Sequence, residues 1–104
     1  MKRNAFLMKL RPGQEQEYRR RHDEIWPELA QELRRAGISD YSIYLDRKTG
    51  NLFAFQKLTD DNTASGLKDL PVMRRWWDAM AELMDTNPDH SPVVEPLVEV
   101  FHMD

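Results

Sequence analysis

An α+β fold with elements in the order βαββαβ is predicted by three features of this 104-residue sequence. Short apolar segments alternate with longer segments of helical periodicity, and turn-forming residues separate them. The chain has the length of one compact domain. Its residues are 40% hydrophobic and 32% charged, which provides for both a core and a hydrated surface. We therefore expect residues 1–104 to form a single domain.

The first strand and the first helix are predicted in the N-terminal third of the chain. Residues 5–10 are apolar and alternate, as in a strand with one buried face. From about residue 14 to 36, charged and apolar residues recur with helical period, and Gly37 suits a left-handed C-terminal cap. Pro27 lies inside this segment, so a kink or a restart of the helix is expected near Trp26.

A hairpin, a second helix and a last strand are predicted in the remaining chain. Residues 41–45 and 52–58 have the composition of strands, and the turn-rich linker between them predicts an antiparallel hairpin. Residues 71–84 are predicted to be helical, with proline at the first position. An irregular loop follows, and residues 97–102 are predicted to form the fourth strand.

This element order is that of the ferredoxin-like βαββαβ fold, with both helices on one face of a four-stranded antiparallel sheet. The strands are apolar on both sides, since Ala5 and Leu7 point opposite to Phe6 and Met8. A monomer would expose one of these faces to water. A homodimer that packs sheet on sheet would cover it, although the lining of a pocket could account for part of that face.

Composition argues against several classes of function. Fifteen Lys and Arg against 18 Asp and Glu give a net charge of −3, which disfavours binding to nucleic acid. The chain contains no cysteine, so nothing requires an oxidising compartment, and a cytoplasmic location is expected. No apolar run is long enough to span a membrane. The motifs of nucleotide, dinucleotide and zinc sites do not occur, so we expect chemistry without metal or cofactor.

His22 is the candidate for proton transfer. Tyr18, His22, Ile25 and Leu29 recur every three or four positions, so the imidazole shares the inward face of the predicted helix. A buried histidine that only hydrogen-bonds a backbone carbonyl is one interpretation. The other is a general acid or base exposed in a pocket, because imidazole exchanges protons near neutral pH.

Tyrosine and tryptophan side chains are further candidates for a binding site. Tyr41 and Tyr44 are three positions apart in a strand, so they lie on opposite faces and only one can reach a given pocket. Trp76 and Trp77 straddle the apolar stripe of the second helix. Core packing explains such residues in most proteins. Adjacent tryptophans can also line a cleft in which their rings cover the C–H groups of a sugar.

Several segments together closely resemble the L-rhamnose mutarotase family over nearly the whole chain. These segments are YRRRHDEIWPEL (18–29), YSIYLD (41–46), RRWWDAMAELM (74–84), TNPD (86–89) and EVFHMD (99–104). The resemblance implies a dimeric α/β-barrel of two ferredoxin-like subunits. It also implies an enzyme that interconverts the α and β anomers of L-rhamnose without metal or cofactor. His22 matches the family's proton-donor position, and its sugar-binding positions are matched by Tyr18, Tyr41, Trp76 and Trp77.

The fold alone leaves other functions open, because ferredoxin-like dimers also include cofactor-independent monooxygenases and small-molecule binding modules without catalysis. Oxygen uptake with a quinol substrate would favour the first. Saturable sugar binding without anomer exchange would favour the second.

Overall fold

A computed structural model describes residues 1–104 and shows helices packed on one antiparallel sheet. The helices and strands are β1 (Lys2–Lys9), α1 (Glu15–Asp23), α2 (Pro27–Arg35), β2 (Ile38–Asp46), β3 (Asn51–Leu58), α3 (Pro71–Met80) and β4 (Glu95–Pro96). Short 3-10 turns cover Ala64–Asp69 and Ala81–Leu83. The strand order is β2-β3-β1-β4, and every neighbouring pair is antiparallel. The predicted α+β, ferredoxin-like arrangement is confirmed.

Proline divides the first predicted helical segment into two helices. α1 ends at Asp23, and α2 begins with Pro27 in its first turn. Trp26 between them has an extended backbone, with φ −60° and ψ 129°, as is usual for a residue that precedes proline. The predicted restart is therefore confirmed. Gly37, with φ +94°, follows α2 as the predicted left-handed cap.

The prediction of a fourth strand over residues 97–102 is wrong. β4 comprises only Glu95–Pro96, paired with Leu7 and Phe6 of β1. The backbone N–H of Leu97 still donates to the carbonyl of Ala5 at 3.0 Å, but regular pairing stops there. The chain nevertheless stays beside β1, because the antiparallel register carries residues 97–100 past residues 2–5, and Glu99 pairs with Arg3 at 2.8 Å. The physical reason lies at the two ends of the segment: Pro96 has no N–H to donate to a ladder, and residues 101–102 lie beyond the start of β1 at Lys2.

The second predicted helix is also shorter than expected. α3 starts at Pro71 as predicted but ends at Met80, and the Ala81–Leu83 turn replaces its last part. Helices commonly tighten into 3-10 geometry at their ends.

The buried side chains form two clusters between the helices and the inner face of the sheet. The first joins β1 and β3 to α1 and the end of α3: Met8, Leu10, Tyr18, Leu52, Ala54, Met80, Leu83 and Met84. The second joins α2, the start of β2 and α3: Leu29, Ala36, Ile38, Leu67, Val72 and Met73. Trp76 packs against both clusters. A groove opens beside it, between the helices and the sheet.

The outer face of the sheet carries exposed aromatic residues. Tyr44 is 64% exposed and Phe55 is 44% exposed. Their rings meet edge to face with centroids 5.9 Å apart. The predicted apolar outer face is therefore present and uncovered in the single chain. No helix combines the length and the apolar character that crossing a membrane requires.

Candidate active site

The groove brings together all five side chains that the sequence assigned to the site. Tyr18 and His22 reach it from α1, Tyr41 from β2, and Trp76 and Trp77 from α3. These residues are far apart in the chain, so the packing of the helices on the sheet creates their proximity. Arg21 of α1 links this helix to the end of α3, because it donates to the Ala79 carbonyl and pairs with Glu82 at 2.8 Å.

His22 is held in one tautomer. Its Nδ1 lies 2.9 Å from the carbonyl oxygen of Tyr18. A carbonyl oxygen can only accept, so Nδ1 must carry the proton. Burial lowers the pKa of His22 below its ordinary value of 6.5, and the hydrogen bond to Tyr18 offsets only part of that effect. The ring is therefore neutral at pH 7, and Nε2 keeps a lone pair that can accept a proton.

Tyr18 stacks beside this imidazole, with ring centroids 4.3 Å apart. Only 9% of the tyrosine is exposed, yet its hydroxyl has no hydrogen-bond partner within the protein. Since no fully enclosed polar side-chain atom lacks a partner, this hydroxyl must open into the groove. Burial raises the pKa of Tyr18, and the nearby Tyr41 raises it further. The hydroxyl therefore stays protonated and can both donate and accept a hydrogen bond.

Tyr41 lines the groove next to a β-bulge in β2. Ser39 pairs with Lys57, but Ser42 pairs with Phe55, so two residues of β2 oppose one residue of β3. Asp40 in this bulge has φ +47°. Tyr41 lies two positions before Ile43, which pairs with the buried Ala54, so it faces inward, whereas Tyr44 lies on the outer face, as the spacing predicted. The distinction between the two tyrosines required the fold.

Tyr41 lines the groove without being fully enclosed by it. Its side chain is 39% exposed, yet burial raises the pKa of its hydroxyl to about 12. The two facts are compatible, because protein atoms around a groove desolvate a residue that is still open to solvent on one side. The phenol is protonated at pH 7 at either its ordinary or its raised pKa, so it is a neutral group that can donate and accept a hydrogen bond.

Tryptophan rings form the other wall of the groove. Trp76 meets the His22 ring edge to face at 5.4 Å. Trp26 meets Trp76 in the same geometry at 5.3 Å and so supports it from behind. Arg74 lies 5.8 Å over the ring of Trp77. These contacts fix the positions of the indole rings, which leaves apolar surface beside the imidazole.

One polar feature of the groove was missed by the sequence analysis. Asn4 and Gln56 also line it, from β1 and β3, and Asn4 Nδ2 donates to Gln56 Oε1 at 2.9 Å. The available signal was a glutamine at an inward position of a strand whose other inward residues, Leu52 and Ala54, are apolar. No group of three or more His, Cys, Asp or Glu side chains is placed to hold a metal ion.

The fold and the groove define a small α+β domain with a site suited to acid–base chemistry on a neutral polar molecule. The family model for L-rhamnose mutarotase matches residues 3–103. An L-rhamnose mutarotase of Rhizobium leguminosarum bv. trifolii is 54% identical over 103 residues, which cover 99% of this chain and 97% of the relative. The Bacteroides thetaiotaomicron L-rhamnose mutarotase is 54% identical over 104 residues, the full length of both proteins.

A solved structure agrees with these sequence relatives. The crystal structure of L-rhamnose mutarotase from Formosa agariphila superposes with a TM-score of 0.93, at 50% identity and full coverage of both chains. The chain belongs to the L-rhamnose mutarotase family.

Proposed function

We propose that the protein interconverts the α and β anomers of L-rhamnose in this groove, with His22 as the group that exchanges the proton. The observation that carries the proposal is the hydrogen bond from His22 Nδ1 to the Tyr18 carbonyl. It leaves Nε2 as a base that faces an aromatic wall and neutral phenols. Membership of the mutarotase family supports the choice of substrate and reaction.

Ring opening needs two proton movements. The anomeric hydroxyl loses its proton to Nε2 of His22 while the C1–O5 bond breaks and O1 becomes a carbonyl oxygen. The ring oxygen gains a proton in the same step. A phenol of the Tyr18 and Tyr41 pair is the proposed donor, because both hydroxyls are protonated and both residues line the same groove as the imidazole.

Ring closure reverses these movements after rotation about C1–C2. The imidazolium of His22 returns its proton to O1, which is the proton-donor role that the family resemblance implies. The ring hydroxyl attacks C1 on the other face and gives its proton back to the phenolate. No atoms are gained or lost, and positioned acid–base assistance of this kind contributes about 10²- to 10⁴-fold in rate.

Binding in the proposal divides between apolar and polar groups. The faces of Trp76 and Trp77 cover C–H groups and the 6-deoxy methyl group of the sugar. The indole N–H groups and the hydroxyls of Tyr18 and Tyr41 bind the sugar hydroxyls. These groups are all neutral, which suits the hydroxyl groups of an uncharged sugar.

The proposal includes a homodimer that packs through the outer face of the sheet. The exposed pair of Tyr44 and Phe55 supports this choice, because soluble proteins seldom leave aromatic sheet faces uncovered. Two chains joined in this way would form the dimeric α/β-barrel of the family. A cytoplasmic location is also part of the proposal, since the cysteine-free chain suits a reducing compartment.

The test is NMR saturation transfer between the two anomeric signals of L-rhamnose, with and without the protein. The wild-type protein is expected to enhance exchange. His22→Asn is the sharpest variant, because its amide nitrogen can keep the hydrogen bond to Tyr18 while nothing replaces Nε2. We expect it to remain folded and to lose about 10²- to 10⁴-fold in turnover.

Other results of these measurements would change the proposed function. Enhanced exchange that survives in folded His22→Asn and His22→Ala would keep the reaction and move the proton transfer to another group. Sugar binding without enhanced exchange would make the protein a binding module. Oxygen consumption with a quinol would indicate a monooxygenase.

A further inference from the structure

Gln56 is the one polar residue among the buried side chains, at 8% exposed. It follows Leu52 and Ala54 on the inner face of β3, where both neighbours belong to the core. Its Oε1 accepts from Asn4, but its amide nitrogen has no partner within the protein. Buried amides are normally hydrogen-bonded, because they lose water on burial. A glutamine in this position therefore needs a polar partner from outside the chain.

The free amide nitrogen faces the groove. No polar side-chain atom without a partner is fully enclosed, so the Gln56 nitrogen is reached from the groove that Gln56 lines. The β-bulge places Asp40 and Tyr41 across from Gln56, because Ser39 and Ser42 pair with the residues on either side of it. Gln56 is thus the cross-strand neighbour of the proposed sugar-binding tyrosine.

The amide pair suits a sugar hydroxyl better than an ion. Gln56 offers N–H donors, and Asn4 keeps its carbonyl oxygen as an acceptor. A hydroxyl group donates one hydrogen bond and accepts others, so it can engage both amides at once. The amide pair carries no charge, and neither do the phenol and indole groups of the proposed site.

We propose that Gln56, positioned by Asn4, binds a ring hydroxyl of the 6-deoxyaldohexose and helps to determine which sugars the enzyme accepts. The inference rests on the proposed function, since it requires the sugar to lie in this groove. It adds a polar wall, on the sheet, to the aromatic wall on α3. Gln56 is a binding residue in this proposal and takes no part in proton transfer.

The competing explanation is structural, because the amide bond from Asn4 links β1 to β3 and could serve only to join the strands. The two explanations differ in their effect on substrate. A binding role changes the sugar concentration that half-saturates anomer exchange, and a structural role changes only the melting temperature.

The experiment measures KM and kcat for anomer exchange in Gln56→Leu, which has similar size and no polar atoms. Loss of one hydrogen bond between neutral groups corresponds to an increase in KM of about 3- to 10-fold, with kcat within about 2-fold of wild type. Gln31→Leu, the same change on the exposed surface of α2, should leave both constants unchanged. Asn4→Ala should raise KM by a smaller factor without altering the core.

Deoxy analogues of L-rhamnose then identify the hydroxyl group that Gln56 binds. Among the 2-, 3- and 4-deoxy analogues of L-rhamnose, one should bind the wild type more weakly and be accepted equally by wild type and Gln56→Leu. An unchanged KM in folded Gln56→Leu and Asn4→Ala would overturn the inference. If His22→Asn loses activity in the same assays, the proposed function stands and only the Gln56 contact fails. If Gln56→Leu does not fold, the deoxy-sugar series on Asn4→Ala decides the question in the same way.

Discussion

Nδ1 of His22 lies 2.9 Å from the carbonyl oxygen of Tyr18, one turn earlier in the same helix. This bond is the one that the first interpretation of His22 predicted, a hydrogen bond to a backbone carbonyl, and it does not conflict with the second interpretation, a general acid or base. It uses only one of the two ring nitrogens. The other nitrogen is therefore free for chemistry, in the only tautomer that the carbonyl permits.

The rate of anomer exchange should fall at acid pH. Catalysis begins with the neutral imidazole, whose pKa burial lowers from 6.5. We expect kcat/KM to be constant above pH 6.5 and to decrease about tenfold per pH unit below the lowered pKa. Saturation transfer from pH 4.5 to 8 measures this profile after subtraction of the spontaneous rate. A kcat/KM that rises toward acid pH would instead indicate that the imidazolium starts the reaction.

The same pKa shift should make stability depend on pH. The unfolded chain binds the His22 proton below about pH 6.5, whereas the folded chain binds it only at lower pH. Stability is therefore lost as the pH falls through the interval between the two pKa values, and no penalty remains above it. Thermal melts of His22→Asn should show a smaller loss between pH 7 and pH 5 than those of wild type. Parallel curves for the two proteins would contradict the burial of this imidazole.

Removal of the Tyr18 hydroxyl should affect activity more than stability. The hydroxyl has no partner within the protein, so Tyr18→Phe leaves no polar group unpaired, keeps the buried ring and should melt within about 2 °C of wild type. Anomer exchange should lose at least about 3- to 10-fold in kcat/KM through the missing hydrogen bond to the sugar. Tyr44→Phe on the outer face is the matched control and should leave exchange unchanged. Equal changes in kcat/KM for the two substitutions would show that the Tyr18 hydroxyl does not bind the sugar.

A charge on the outer sheet face should dissociate the proposed dimer. Phe55→Lys places an ammonium group within the aromatic patch, where burial without a partner is costly. Light scattering should give about twice the 12.3 kDa chain mass for wild type and the single-chain mass for the variant. Gln31→Lys adds the same charge on a helix surface and should remain dimeric. A monomeric wild type would refute the dimer and leave the groove chemistry untouched.

Gly37→Ala should be strongly destabilising. The residue has φ +94°, and an added Cβ would collide with the hydroxyl oxygen of Thr59. Left-handed backbone alone costs a non-glycine residue about 1–2 kcal/mol, which corresponds to a decrease in melting temperature of roughly 5–15 °C for a domain of this size. Gly66→Ala meets no atom within 4 Å and should change the melting temperature little. Similar melting temperatures for the two variants would contradict the close approach at Gly37.

Local signals predicted the parts of the fold that depend on neighbouring residues. The break at Pro27 follows from a missing N–H group and a ring clash, and the cap at Gly37 from backbone freedom. The fourth strand failed for the opposite reason. Residues 97–102 have the composition of a strand, but composition cannot show how far pairing with β1 extends, and the paired residues are only Glu95 and Pro96.

By itself, the sequence determined the element order, the inward direction of His22 and the apolar character of both sheet faces, because helical and strand periodicity assign side chains to faces. Only the tertiary structure decided that Tyr41, and not Tyr44, lies on the sheet face that packs against the helices, because alternation separates the two faces without saying which one is covered. Only the tertiary structure revealed Gln56 beside it, because contacts between strands depend on register and not on proximity in the chain. The protonated nitrogen of His22 likewise follows from a distance that spacing cannot supply.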